Sequence, residues 1–164
     1  MHLLRMSDNQ TANGTGIIIL TLIFSMVLML LPLPDSLRMA RPEWVLLTLM
    51  YWSMALPERV GIGYAATTGL CMDILLGSVM GIFVLTYALV IYLVSYFHLQ
   101  LRQFPLWQQA LSLMSLILLM HIVTVMMTSK VIDWQAWIPA FVSTLLWPLV
   151  YLFLRHIRHT YKIR

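Results

Sequence analysis

Charged residues enter this chain only at intervals, and the stretches between them are apolar and of helix-spanning length. Asp35, Arg38, Arg41 and Glu43 close the first apolar run, Ile17 to Leu33. Glu58 and Arg59 close the second, and Arg102 follows a long third stretch in which Asp73 is the one charge. Lys130 and Asp133 close the next, and Arg155, Arg158, Lys162 and Arg164 follow the last. A bilayer core about 30 Å thick takes about 20 helical residues to cross. The chain of 164 residues therefore holds about six spans with short loops. Composition agrees: hydrophobic residues make up 61% and charged residues 10%, against about 45–50% and about 25% in soluble domains. These values exclude an ordinary soluble domain, a disordered tail and a second, soluble domain beside the membrane part. The expected class is an all-α, polytopic membrane helix bundle forming one domain over 1–164. A polar segment covers 1–15 and a basic tail 155–164.

The first run ends in Leu31-Pro32-Leu33-Pro34 without a small-x-small cleavage site, so it reads as a retained span rather than a signal peptide. The second, Trp44 to Leu56, is short: its 13 residues would cover about 20 Å at 1.5 Å per residue. Val60 to Gln100 is long enough for two spans, with Gly77-Ser78-Val79-Met80-Gly81 as the natural break. Two more spans are expected over about Leu106–Thr128 and Gln135–Leu154, the latter with a kink at Trp147-Pro148. The four cations after the last span place the carboxyl terminus in the cytoplasm. With six spans Arg5, Arg59 and Arg102 join them inside, and Arg38, Arg41 and Lys130 lie outside. With five spans and a re-entrant second run the asymmetry is as good, so charge alone leaves the count open. The tryptophans 44, 52, 107, 134, 137 and 147 mostly fall near span ends, as an interfacial belt would. The 13 methionines read as interhelical or lipid-facing filler.

Asp73 is the residue most in need of an explanation. A carboxylate inside a span costs at least ~2.5–3.5 kcal/mol, which suggests a polar lock, a proton site or a partner contact. Around it, small residues recur at every fourth position: Gly61, Ala65, Gly69, Asp73, Gly77 and Gly81. Such a ladder lets helix backbones approach closely and predicts helix packing through Gly61, Gly69, Gly77 and Gly81, with the third span at the centre of the bundle. On the fifth span, Gln108, Ser112 and Ser115 share one face, and His121, Thr124 and Thr128 the roughly opposite face, which predicts a helix surrounded by protein. His121 falls at about the depth of Asp73, making it a candidate intramembrane polar partner. His156-x-x-His159 has metal-compatible spacing, but among Arg155, Arg158, Lys162 and Arg164 it reads as part of a basic tail on anionic lipid headgroups. One cysteine, Cys71, excludes an internal disulfide and a Cys-based cluster. Neither a phosphate loop nor Gly-x-Ser-x-Gly nor His-Glu-x-x-His occurs, so no catalytic, cofactor or metal residues are assigned.

Several of these segments together resemble a known family. They are Arg41-Pro42-Glu43-Trp44-Val45-Leu46-Leu47, Tyr51-Trp52, Ala55-Leu56-Pro57, Arg59-Val60, Asp73 with Gly77 and Gly81, Leu106-Trp107-Gln108-Gln109-Ala110-Leu111, and Leu146-Trp147-Pro148 before a basic tail. In order and spacing they resemble the MreD rod shape-determining proteins of gammaproteobacterial type, over about residues 17 to 160. The resemblance implies a multi-pass protein of the bacterial inner membrane and a fold like the six-helix substrate-binding subunits of energy-coupling-factor transporters. It implies a non-enzymatic scaffold in cell elongation that binds MreC. MreB, RodA and a class B penicillin-binding transpeptidase would work with it in lateral-wall peptidoglycan synthesis. It implies no catalytic residue and no cofactor. A homo-oligomer is left open, and nucleic acid is not an expected partner. The competing reading is a vitamin-type small-molecule carrier subunit of a transporter, which fold likeness alone supports weakly.

Overall fold

The computed structural model describes residues 2–32, 34, 40–128 and 137–161, and the side chains of 2–13 lie outside that description. Asp35, Arg38, Lys130, Asp133, Trp134, Lys162 and Arg164, together with the side chain of Arg5, are therefore outside the described residues. Among the described residues there are seven helices: α1 (His2–Leu30), α2 (Trp44–Ala55), α3 (Ile62–Leu76), α4 (Ile82–Tyr96), α5 (His98–Gln103), α6 (Leu106–Thr128) and α7 (Ile138–Thr160). Two of them, α6 and α7, are long and apolar enough to cross a membrane; Gly14–Leu30, α2, α3 and α4 are shorter apolar helices. An all-helical membrane protein is the class this supports.

The boundaries differ from the sequence reading in three places. Helix α1 starts at His2 rather than near Gly16, so the polar segment is helical from His2 on. Helix α7 continues to Thr160, so Arg155, His156, Arg158 and His159 sit on a helix and not on a tail. It begins with Pro139 in its first turn and runs through Pro148. After α4 the chain turns at Phe97 into the short α5, a break that an unbroken apolar pattern does not reveal.

The centre of the bundle is α2, not α3. Every residue from Val45 to Met54 is buried. A helix that is apolar all round has no face suited to water and packs on all sides. Helix α2 touches α1, α4, α5 and α7, and a polar contact ties it to three of them. The Trp52 indole N–H donates to Thr21 Oγ1 on α1 at 3.0 Å. Ser53 and Ser95 hydroxyls pair at 3.0 Å across to α4. The Glu43 N–H, just ahead of α2, donates to Ser143 Oγ on α7 at 3.0 Å. Helix α3 instead forms a hairpin with α4, otherwise meets α1, and exposes Ile62, Leu70, Ile74, Leu75 and Leu76.

Two tryptophans leave the expected interfacial belt. Trp52 and Trp147 are fully buried. Trp147 packs on Tyr151, and Tyr151 stands edge-on to Tyr51 with centroids 5.5 Å apart. These rings fill the α2–α7 interface. Trp107 and Trp137 are exposed, as a belt position requires.

Candidate functional site

The α3–α4 turn is built by two glycines and one carboxylate. Helix α3 ends where Gly77 takes φ +60°. The Gly77 N–H donates to the Ile74 carbonyl and the Ser78 N–H to the Asp73 carbonyl, the paired bonds of a Schellman stop. Four residues on, Gly81 has φ +102° and caps α4. A side chain would strain both positions, which is why glycine stands at each.

Asp73 lies in the last turn of α3, 1% exposed, and its carboxylate faces the first turn of α4. Oδ1 accepts from Ser78 Oγ at 2.8 Å and from the Phe83 N–H at 3.1 Å. Oδ2 accepts from the Gly81 N–H at 2.9 Å and the Val84 N–H at 3.4 Å. The opening N–H groups of a helix have no partners within it, and the positive end of its dipole favours an anion. Asp73 is thus the N-terminal cap of α4, supplied from the preceding helix. Its four donors account for both oxygens of an acceptor-only group.

Gly69, one turn earlier on α3, lets the two backbones meet. A Cβ there would stand 2.6 Å from the Phe83 carbonyl oxygen and 2.7 Å from Val84 Cα. Ala65 is fully buried on the same face. The ladder therefore does two jobs. Ala65, Gly69 and Asp73 face α4, whereas Gly77 and Gly81 are turn residues with open space around their Cβ positions. Gly61 precedes α3 and has only the Pro57 carbonyl near it, at 4.0 Å, so it packs against no neighbouring helix.

His121 is not among the donors to Asp73. Its Nδ1 lies 2.9 Å from the Ile117 carbonyl of its own helix, and the carboxylate it acts on electrostatically is Glu43. Glu43 is one of the charges that separate the first two apolar runs, yet it is 7% exposed. Burial pushes its carboxyl up from the ordinary value, and the charges of His121 and then Arg41 oppose that shift. Arg41 Nη2 donates to the Leu31 carbonyl at 2.6 Å, closing the end of α1. The Pro42-Glu43 step and Ser143 thus form a polar cluster where α2 begins.

The polar stripes of α6 are largely absorbed within the helix. Ser112, Ser115, Thr124 and Thr128 hydroxyls each donate to the carbonyl four residues back, an option that Ser and Thr have without any neighbour. Helix α6 is accordingly not enclosed: Trp107, Leu111, Ile122 and Met126 are exposed.

At the opposite end of α2, Arg102, Arg155, Arg158 and His159 line a recess with Tyr51 and Gln109. His156 is exposed and does not line it. No group of three or more His, Cys, Asp or Glu side chains suited to a metal occurs among the described residues.

Comparison with known proteins bears on what this bundle is. The family model for rod shape-determining protein MreD matches residues 10–157. The rod shape-determining protein MreD of Haemophilus influenzae is 36% identical over 145 residues, covering 86% of this chain and 90% of that protein. No solved structure matches. The matched region takes in α2, the Asp73 turn and most of α7, and on that match the chain belongs to the MreD family of rod shape-determining proteins.

Proposed function

We propose that the chain is a non-enzymatic scaffold subunit of the cell-elongation complex in the bacterial inner membrane. In this reading it binds MreC directly. MreB, RodA and a class B penicillin-binding transpeptidase complete the assembly, which directs lateral-wall peptidoglycan synthesis. Family membership supports the role in rod shape. The observation that carries the scaffold reading is how the polar groups are used. Asp73 caps a helix, His121 and the α6 hydroxyls bond their own carbonyls, and Thr21, Ser53 and Ser143 hold α2 to its neighbours. These groups fix helices against one another. The six apolar helices are taken as six spans, arranged like the substrate-binding subunits of energy-coupling-factor transporters, with the carboxyl terminus cytoplasmic.

The test is co-purification of MreC with the tagged chain, followed by site-specific crosslinking. Cys71 is exposed and is first replaced by serine. Single cysteines are then placed at exposed positions of α1, α3, α6 and α7. Crosslinks to MreC confined to one helix face support direct binding. No enrichment of MreC over an unrelated bitopic membrane protein would end the proposal.

A further inference from the structure

The α3–α4 hairpin is too short for a membrane that suits the longest helices. Helices α6 and α7 have 23 residues each and rise ~35 Å. Helices α3 and α4 have 15 each and rise ~22 Å, against a hydrocarbon core ~30 Å deep. Glu58 and Arg59 precede α3, and Arg102 follows α4. Tyr92, Tyr96 and Phe97 are exposed around the close of α4, and aromatic rings and charges of this kind belong at the headgroup level. Arg102 shares a recess with Arg155 of α7, so this is the end that carries the carboxyl terminus. With that end held at its interface, the turn at 77–81 stops ~8 Å short of the opposite one.

The turn is made for that depth. Residues 76–85 include no charge, tryptophan or tyrosine, so they lack the anchors of an interface. Ile74, Leu75, Val79 and Met80 are exposed, the last two by 71% and 70%. A turn in water can leave its N–H groups to solvent, whereas hydrocarbon offers them no acceptor. Here the Gly77 and Ser78 N–H groups close on the Ile74 and Asp73 carbonyls, and those of Ile82 and Leu85 on the Val79 and Gly81 carbonyls. Asp73 takes up the N–H groups of Gly81, Phe83 and Val84 and the Ser78 hydroxyl. The one acid or arginine between Arg59 and Arg102 thus silences the donors of the turn. Val79 and Met80, at the tip itself, keep N–H groups without an acceptor among the described residues, which sets the tip near enough to the ester groups to meet water.

We propose that the hairpin ends inside the far leaflet and that its tip is a lipid-contact surface. Ile74, Leu75, Val79 and Met80 lie among acyl chains just below the ester groups, and no part of the turn projects into water. A hydrophobic stretch shorter than the bilayer is met by local thinning. The bundle therefore has a thick side at α6 and α7 and a thin side at α3 and α4, and the far leaflet dips over the hairpin. The inference rests on the spanning arrangement given above and adds to it the depth of one turn.

The test uses the full chain with Cys71→Ser, reconstituted in vesicles of dioleoyl phosphatidylcholine and phosphatidylglycerol. Single cysteines at Met80, at Leu149 in the middle of α7, and at Ser36 in the charged stretch before α2 each carry a bimane fluorophore. Met80 and Leu149 are exposed, so neither substitution disturbs a packed contact. Quenching is read with aqueous iodide and with lipids bearing a nitroxide on chain carbon 5 or carbon 12. Iodide should quench the Met80 probe at least about tenfold less than the Ser36 probe, because an anion enters hydrocarbon only at high cost. The carbon-5 nitroxide should quench Met80 more than the carbon-12 one, and the order should reverse at Leu149. Iodide quenching at Met80 equal to that at Ser36, with Leu149 shielded, overturns the proposal and leaves the spanning arrangement standing. Strong iodide quenching at Leu149 as well overturns both. A Met80 probe reached by neither iodide nor nitroxide overturns the lipid assignment in favour of a protein surface, such as a second copy of the chain.

Discussion

Removing the Asp73 carboxylate should unfasten the α3–α4 hairpin, by an amount that depends on what replaces it. Leucine takes away the acceptor of Ser78 Oγ and of three backbone N–H groups, those of Gly81, Phe83 and Val84. The hydroxyl can turn elsewhere, and the 3.4 Å bond to Val84 is weak. Two good backbone donors are left, and hydrocarbon offers them nothing. At ~1–3 kcal/mol for each buried donor left unsatisfied, Asp73→Leu costs about 2–6 kcal/mol.

Asparagine is a gentler change but not a silent one. Its NH₂ group cannot face Gly81 and Val84, whose N–H groups both point at the Oδ2 position. It can take the Oδ1 position, where the Ser78 hydroxyl is able to reverse and accept, leaving only the Phe83 N–H unanswered. Asp73→Asn therefore costs about 1–3 kcal/mol, roughly half the leucine effect. Thermal unfolding of the purified protein by fluorescence-detected gel filtration reads both. A shift of about 2–4 °C per kcal/mol is expected for a chain of this size. A leucine variant that melts with wild type would refute the capping account. So would an asparagine variant that folds normally and binds its partners but fails to restore rod shape at matched membrane levels. That result would assign the charge itself a function.

Gly69→Leu should lower membrane accumulation where Leu70→Ala leaves it unchanged, because the glycine's neighbour is α4 backbone at 2.6 Å and cannot step aside without separating the helices; overpacking of this kind costs about 1–3 kcal/mol. Gly81→Ala should destabilise by about 1–2 kcal/mol from backbone strain alone, whereas Gly77→Asn, at a left-handed position that asparagine adopts with less strain than other side chains, should cost less; comparative melting checks the pair. Ser143→Ala leaves the buried Glu43 N–H without its acceptor and should cost about 1–3 kcal/mol, read the same way. Reporters fused at the two termini should both report the cytoplasm, and periplasmic activity at the amino terminus would instead support five spans.

The apolar runs and the glycine break made most of the helices legible, since a chain nearly without polar faces has little else to form. Asp73 was conspicuous for the same reason. Its partners were not, although they lie only 5 to 11 residues downstream. The small-residue ladder suggested a continuous helix, when Gly77 and Gly81 were in fact ending one helix and opening the next. The clue was the pairing of a carboxylate with two nearby glycines and a fresh apolar run at Ile82, which is the pattern of a cap. Glu43 was illegible for a different reason. Its N–H partner Ser143 lies 100 residues away, and His121, which acts on its charge, is as remote in sequence; nothing local distinguishes it from a loop acid after proline. Trp52 and Trp147 illustrate the same limit, because closeness to a span end does not reveal which side of the helix the bundle occupies.

The shortness of α2 ties these features together. Its 12 residues rise about 18 Å, well short of the ~30 Å hydrocarbon depth, and yet it is the helix that α1, α4, α5 and α7 all touch. A short axis flanked by the longer α1, α4 and α7 leaves a recess at each end. Polar groups placed there lie within the bundle but need not face lipid. One end is occupied by Glu43, with its N–H on Ser143 and with Arg41 and His121 near enough to act on its charge. The other holds Gln109, Tyr51 and the arginines of α5 and α7. The chain's few internal charges are thus explained by the length of one helix. They gather where the central helix stops, and the Asp73 cap applies the same economy to α3 and α4, themselves only 15 residues each. In such a bundle the helix ends, rather than mid-span positions, are where substitutions of polar residues should be felt most.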